Sequence, residues 1–359
     1  MKKRSFIWFG WGAALFALSF LLLFLAGNAE GMAQWYAVHV YPLIVAAAGR
    51  LWGMIPFSAA EVLLYVMAGL VIGLLGRLLY RLIRGERKNG LAVHYASGLW
   101  LMAAVLFLLY TLNCGINYQR RSFSESRQIV TGSYSTAELR EVCEILTRDV
   151  NTYGSQVDRD RSGRMILEGE AEMQASEAMD RLGEIYEELE GYYPEPKALA
   201  GSWLLSVQKL SGIYVPFTLE ATYNEDMTAY NIPFTMCHEL SHLRGFMQEE
   251  EANFIAYLAC MESEQESFRY SGSMLGWIKC MNVLYQEDAQ AWSEVRETLS
   301  EEISSDLQAN SEFWASYDGT VAEVSEQMND RYLKANGQSE GVKSYDRMVD
   351  LLVAYYRAQ

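Results

Sequence analysis

The chain has 359 residues and a formal net charge of −16, and that charge is unevenly spread. Residues 1–117 carry 9 Lys/Arg and 3 Asp/Glu, which leaves 20 and 42 for the remainder. An acidic C-terminal part of this kind argues against nucleic acid or anionic lipid as its partner, and five cysteines at 114, 143, 237, 260 and 280 are too few and too scattered for a disulfide scaffold or a CxxC metal site.

Met1-Lys2-Lys3-Arg4 is basic, and Ile7 to Ala26 follows with 20 residues and no charge. That is long enough to span a bilayer. A cleaved signal peptide is the rival reading, because Gly27 and Ala29 flank Asn28 in a small-x-small pattern; the length of the apolar run favours an anchor over about 6–27. Tyr41 to Phe57 is apolar but holds Arg50, Pro42 and Pro56. A charge at mid-membrane costs about 2.5–3.5 kcal/mol, so the expectation for 41–57 is an interfacial or re-entrant helix. Further spans are expected at about 59–80 and 91–113, with Arg77, Arg81, Arg84, Arg87 and Lys88 clustered at the end of the former. His94 is expected at the interface, without a partner.

Three spans place the C-terminal part on the side opposite the N-terminus. The basic N-terminus and the Arg81–Lys88 loop share one side, which the positive-inside rule makes the cytoplasm. Residues 118–359 then lie outside it, in a membrane protein of the multi-pass kind. Arg120, Arg121 and Arg127 weaken that assignment, and a fourth span at 41–57 would invert it. The domain division is a transmembrane region over 1–117 and a second domain over 118–359.

In the second domain, Ser135-Thr136-Ala137-Glu138 is a capping box, which predicts an amphipathic helix to about Thr152. A loop with Arg159, Asp160 and Gly163 comes next, then a long acidic helical stretch from Glu168 to Tyr192. Ser202–Gly212 and Ile213–Tyr223 have strand character. Pro216–Asn224 is expected as an exposed edge strand where an extended peptide could pair, with Glu220 and Asn224 either facing a cleft or lying on an ordinary strand. From Phe254 onward the pattern is helical, over 254–264, 273–285, 289–304, 321–334 and 342–357.

Between these lies PFTMCHELSHLRGFMQEEEAN, residues 233–253, which contains the HExxH motif His238-Glu239-Leu240-Ser241-His242. Residues four apart share one face of a helix, so His238 and His242 can reach one metal ion. Glu239 is one step round, where it can act on a water molecule. Pro233 suits a first helical turn, Asn231 is a candidate cap, and Gly245 is a helix stop. The remaining histidines, His39 and His94, lie in or beside apolar segments, so a third histidine ligand is not expected. Carboxylates follow at Glu249, Glu250 and Glu251. A ligand Glu followed four residues later by an Asp or Asn that supports a ligand His is the gluzincin pattern. Glu249 and Asn253 have that spacing, and Glu250 is the alternative ligand. Cys237 points about 100° away and is expected to pack.

The blocks PFTLEATYN (216–224), PFTMCHELSHLRGFMQEEEANFIAYLAC (233–260) and YLKANGQSEGVKSYDRMVDLLVAYY (332–356) together resemble an uncharacterised family of bacterial membrane proteins, a domain of unknown function. In that family, N-terminal transmembrane helices precede an HExxH domain. More distantly, HExxH followed by ExxAN is similar to gluzincin peptidases. The resemblance implies a mainly α chain: transmembrane helices, then a zincin-like α+β metallopeptidase domain with a helical C-terminal part. It implies a membrane-anchored peptidase that uses Zn²⁺ held by His238, His242 and Glu249, with Glu239 catalytic and Asn253 behind a ligand histidine. It also makes Tyr345, in the distinctive SYDRMVDLL segment, a candidate transition-state donor. The expected partners are a peptide or protein substrate and the lipid bilayer, and no nucleic acid. Two other readings stay open at this point: a sensor-transducer whose peptidase faces the cytoplasm, and a non-catalytic membrane scaffold stabilised by zinc.

Overall fold

The structure, a computed structural model, describes residues 2–84, 91–336, 338 and 347–358. It is mainly α, with one small sheet. Three described helices, Lys3–Asn28, Ala59–Arg81 and Ala92–Gln119, are long and apolar enough to cross a membrane. The first and third lie side by side. Phe16 packs on Trp100 and Phe107 at centroid distances of 4.7 and 5.6 Å, Ser5 Oγ lies 3.3 Å from His94 Nδ1, and Leu23 sits against Gly115. These pairs advance together along both helices, so the two run parallel. His94 therefore has partners, contrary to expectation: it bonds Ser5 and stacks on Trp8 at 4.7 Å.

The middle long helix, Ala59–Ile83, meets the rest of the chain at its first turn. The backbone N–H groups of Ala59 and Ala60 donate to the Glu220 carboxylate at 3.1 and 2.7 Å. In return, Glu61 accepts from the N–H groups of Ala200 and Gly201 at 3.0 and 2.8 Å. A carboxylate at a helix N-terminus satisfies donors that have no intrahelical partner and complements the helix dipole. Glu220 also pairs with Lys197 in a buried ion pair, and Lys197 Nζ donates to the Trp52 carbonyl at 2.8 Å.

The segment expected as one helix over 41–57 ends at Gly53. It is a bent run of Tyr41–Ile44, a π turn Val45–Gly49 and Arg50–Gly53, about 20 Å long at the helical rise and so shorter than a bilayer core of about 30 Å. Tyr41, Val45 and Gly49 form its buried stripe. Tyr41 Oη lies 2.9 Å from Tyr214 Oη and donates to the Leu243 carbonyl at 3.0 Å. Arg50, which disqualified a span, lies over the Tyr192 ring. One apolar cluster thus joins Tyr36, Tyr41, Cys114 and Ile116 to Tyr214, Leu243 and Met247. The division at residue 117 is a change in composition, and packing runs across it.

The main core is built by helices Thr136–Gly154, Ala171–Ile185, Asn231–Leu243, Glu249–Glu262, Glu266–Glu287 and Met348–Arg357. The capping box is present as read, with Ser135 and Glu138 bonding reciprocally. All five cysteines are buried and free, and Cys237 packs in the core. The sheet holds β1 (Lys197–Ala198), β2 (Gly212–Val215) and β3 (Glu220–Tyr223) in the order β1-β3-β2. Part of the expected strand region is instead a short helix, Ser202–Ser206.

The expected edge strand at 216–224 is also corrected. β3 is central, parallel to β1 and antiparallel to β2, and all four of its residues are buried. Glu220 and Asn224 face no cleft. Glu220 is taken up by Lys197, Thr218 and the helix cap, and Asn224 donates to Ser206 and the Leu210 carbonyl. Polar side chains whose partners lie far away in sequence read as exposed until those partners are known.

Glu220→Ala leaves Lys197 buried without its counter-charge and uncaps the Ala59 helix. We expect a loss of about 3–5 kcal/mol, read as a lower unfolding midpoint of the detergent-solubilised full chain; an unchanged midpoint would contradict the clamp.

Candidate metal centre

The helix that carries HExxH spans Asn231–Leu243. Pro233 falls in its first turn, as expected. Asn231 does not cap it: its amide donates to Thr228 and to Asn310 at 2.6 and 2.7 Å. Phe234, Met236, Leu240 and Leu243 are buried and fix the helix in the core.

The C-terminal end is where local sequence sets the chemistry. Gly245 has φ +97°, a backbone conformation that favours glycine. Its N–H donates to the His242 carbonyl at 2.9 Å, and the Phe246 N–H donates to the Ser241 carbonyl at 3.1 Å. This pair of bonds is a Schellman turn. It folds the chain back so that the Phe246 carbonyl lies 2.8 Å from His242 Nδ1. Burial, together with His238 beside it, lowers the His242 pKa to about 4, so the ring is neutral at pH 7. Facing a carbonyl, Nδ1 carries the proton, and Nε2 keeps its lone pair for a metal.

The next helix, Glu249–Glu262, opens with the three glutamates. Successive residues are turned by about 100°, and the three go separate ways. Glu249 reaches the histidines, with Oε2 at 3.3 Å from His238 Nε2 and Oε1 at 3.8 Å from His242 Nε2. Glu250 instead accepts from Gln338 at 2.9 Å and lies 3.9 Å from Arg347. Glu251 is buried and accepts from the Ser124 N–H at 3.0 Å. Among the described residues, His238, His242 and Glu249 form the one group of three metal-ligand side chains, with donor atoms within 4.8 Å of one another.

The donor set can be tested against zinc. Two ligands of a tetrahedral zinc with bonds of about 2.0–2.1 Å lie about 3.3 Å apart; His238 Nε2 and Glu249 Oε2 stand at that distance, and the set as a whole, within 4.8 Å, would close in slightly around the ion. The three side chains are only 10–13% exposed. Burial opposes charge on His238 and Glu249 alike. Their mutual hydrogen bond wins, raising the His238 pKa and lowering that of Glu249. Two imidazoles and one carboxylate are a donor set that zinc accepts, with three protein ligands rather than the four of a closed structural site.

Glu239 lies beside the cluster and is 4% exposed. Burial raises its pKa to about 8, against the lowering effect of His238. The Tyr214 N–H, on the edge strand β2, faces its carboxylate and tempers that rise. Gly212 on the same strand allows the approach: a Cβ there would lie 2.7 Å from Glu239 Oε1.

Asn253 is buried one turn beyond Glu249. Its Nδ2 and His238 Nδ1 are both buried without a hydrogen-bond partner among the described residues, while His242 is oriented by a backbone carbonyl. Tyr345 lies outside the described residues. Sequence reasoning missed the Phe246 carbonyl, Tyr214 and Gly212. Gly245 was a usable signal for the first, because a Schellman turn fixes where the next carbonyl points. Nothing local marked the other two.

A family profile described as Protein of unknown function (DUF3810) matches residues 36–353. No curated protein and no solved structure matches the chain.

Gly245→Ala strains the turn and sets a methyl carbon 3.1–3.3 Å from Arg120, Tyr41 and Asn117. Loss of the Phe246 carbonyl from His242 is expected to weaken zinc binding by about 10–100-fold in a competition titration with a chelator. Affinity equal to that of the wild type would show that the turn does not orient the ligand.

Proposed function

We propose that this chain, which belongs to the family of proteins of unknown function that matches it, is a membrane-anchored zinc-dependent metallopeptidase with a gluzincin-like ligand set in a zincin-like domain. The observation that carries this reading is the convergence of His238, His242 and Glu249 with a fourth, buried acid beside them. A zinc ion held there supplies Lewis acidity and brings the pKa of a water molecule down to about 7.

The chain's own residues do the rest. His242 is held by Phe246 and His238 by its place one turn earlier on the same helix. Burial raises the proton affinity of Glu239, and in its ionised form the carboxylate can take a proton from the attacking water and then give it to the leaving amine. The Tyr214 N–H faces that carboxylate. β2 pairs with β3 on one side only among the described strands, so its outer edge, next to Glu239, is available to an extended peptide. This gives the strand role to 212–215 rather than to 216–224.

The parallel first and third apolar helices support the membrane reading. A chain that crosses twice in one direction must return in between, and Ala59–Ile83 is the described element that can do so. With the basic N-terminus on the cytoplasmic side, the metal centre lies on the other side of a bacterial cell membrane.

Glu239→Gln keeps the shape and removes the base. On any peptide substrate that the wild type cleaves, we expect hydrolysis to fall by about 10²-fold or more with zinc content unchanged; full activity would overturn the proposal. Gly212→Ala sets a methyl group against Glu239 Oε1 and the Thr222 carbonyl. A loss of about tenfold or more, a cost of about 1.4 kcal/mol, is expected in kcat/KM, again with zinc retained. Unaltered kcat/KM would mean that β2 does not position the base.

A further inference from the structure

Helix Thr320–Ala335 is amphipathic, and its apolar side is only partly used. Ala322 and Leu333 are buried, whereas Val321, Val324 and Met328 are 58%, 48% and 65% exposed. These three lie at the spacing of one helical stripe, which Tyr332 continues. The charged residues Glu323, Glu326, Asp330 and Lys334 take the opposite side.

Both ends of this helix are tied to the ends of candidate membrane spans. At the C-terminal end, Tyr332 packs on Tyr110 and Tyr118 and lies 3.5 Å from Cys114. Tyr110 also donates to Asn336, and all three partners lie in the last part of the third apolar helix. At the N-terminal end, Asp318 pairs with Lys209. Lys209 follows the short helix Ser202–Ser206, and the Gly201 N–H just before that helix donates to Glu61 in the first turn of the second apolar helix. The helix is held directly at one end by the end of the third apolar helix and, through residues 201–209, is linked at the other to the first turn of the second, which sets it along the level where those spans leave the bilayer. Two more exposed apolar side chains share that level: Trp203, two residues past Gly201, and Phe217, next to Pro216, whose carbonyl accepts from Asn113 of the third apolar helix at 2.7 Å.

We propose that helix Thr320–Ala335 is an interfacial helix, with Val321, Val324 and Met328 inserted into the lipid surface beside the spans. This rests on the membrane reading of the three long helices and is independent of the metal. The energy is apolar: burying side chains of this size is favourable whatever the headgroup. The acidic balance of the domain excludes attraction to anionic lipid as the cause, so a zwitterionic bilayer suffices. The consequence concerns substrate. Asp318 at one end is tied to the segment that leads into β2, and the residues just past the other end reach the glutamates that open the ligand helix, through Gln338 and Glu250. With the helix on the bilayer, the recessed cluster opens close to the lipid surface and suits polypeptide segments that emerge from the membrane.

The test uses the full chain in phosphatidylcholine vesicles. Met328→Cys and Gln327→Cys, whose side chains leave the helix about 100° apart with 327 off the apolar stripe, are labelled with an environment-sensitive fluorophore; the native cysteines are buried. Ile72→Cys, in the second apolar helix, reports membrane insertion. The proposal expects the probe at 328 to be quenched by lipids bearing a shallow spin label, and to be severalfold less sensitive to aqueous iodide than the probe at 327. Equal iodide quenching at 327 and 328 would overturn it. So would protection from iodide at 328 without lipid quenching, which would mean that protein covers the stripe, either another part of this chain or a second copy. If the probe at 72 is itself not quenched by lipid, the membrane reading fails and the proposal falls with it.

Discussion

The hydrogen bond from His242 Nδ1 to the Phe246 carbonyl, 2.8 Å long, is the constraint on which the site depends. It exists because Gly245 turns the chain at φ +97°, and the turn is held from outside the helix. The Arg120 guanidinium donates to the Arg244 carbonyl at 3.2 Å and lies 3.9 Å from the centre of the Phe246 ring. Tyr41 donates to the Leu243 carbonyl just before it. Tyr41 belongs to the segment that links the first two apolar helices, and Arg120 directly follows the third. The part of the chain that reads as a membrane anchor therefore also buttresses the turn that orients His242.

A second connection reaches the other half of the site. Glu220 caps the second apolar helix and sits on β3. β3 pairs with β2, and β2 presents the Tyr214 N–H and the bare face of Gly212 to Glu239. His238, His242 and Glu249 are thus fixed by a helix–turn–helix whose turn rests on residues 41 and 120, and Glu239 by a sheet clamped to residues 59–61. Removing the N-terminal part would take support from both, which sets this arrangement apart from a soluble domain on a tether.

Much of this was legible in the sequence because it is local. The HExxH spacing, the glycine stop after it, the capping box at Ser135 and the three apolar runs each depend on residues within a turn or two of one another. Glu249 could be preferred to Glu250 because it stands four residues before Asn253, although the short linker after the HExxH helix left the phase of the next helix open. Other features needed partners distant in sequence. The edge position of β2 follows from β3 being paired on both sides, and β3 has no alternation to show it. The docking of 41–53 was hidden because Arg50 and the prolines argue against a span without naming what the segment rests on. Phe246 was invisible as a ligand support because a backbone carbonyl has no residue-type signature, although Gly245 marked the turn that aims it.

The most direct test of the account is the metal content of the purified full-length chain, measured by elemental analysis beside that of His242→Ala and Glu249→Gln. The geometry predicts about one zinc per wild-type chain, none in His242→Ala, and weakened retention in Glu249→Gln. A folded wild-type protein without metal, or zinc retained unchanged in both variants, would contradict the assignment of His238, His242 and Glu249 as a metal centre, and the peptidase reading would fall with it.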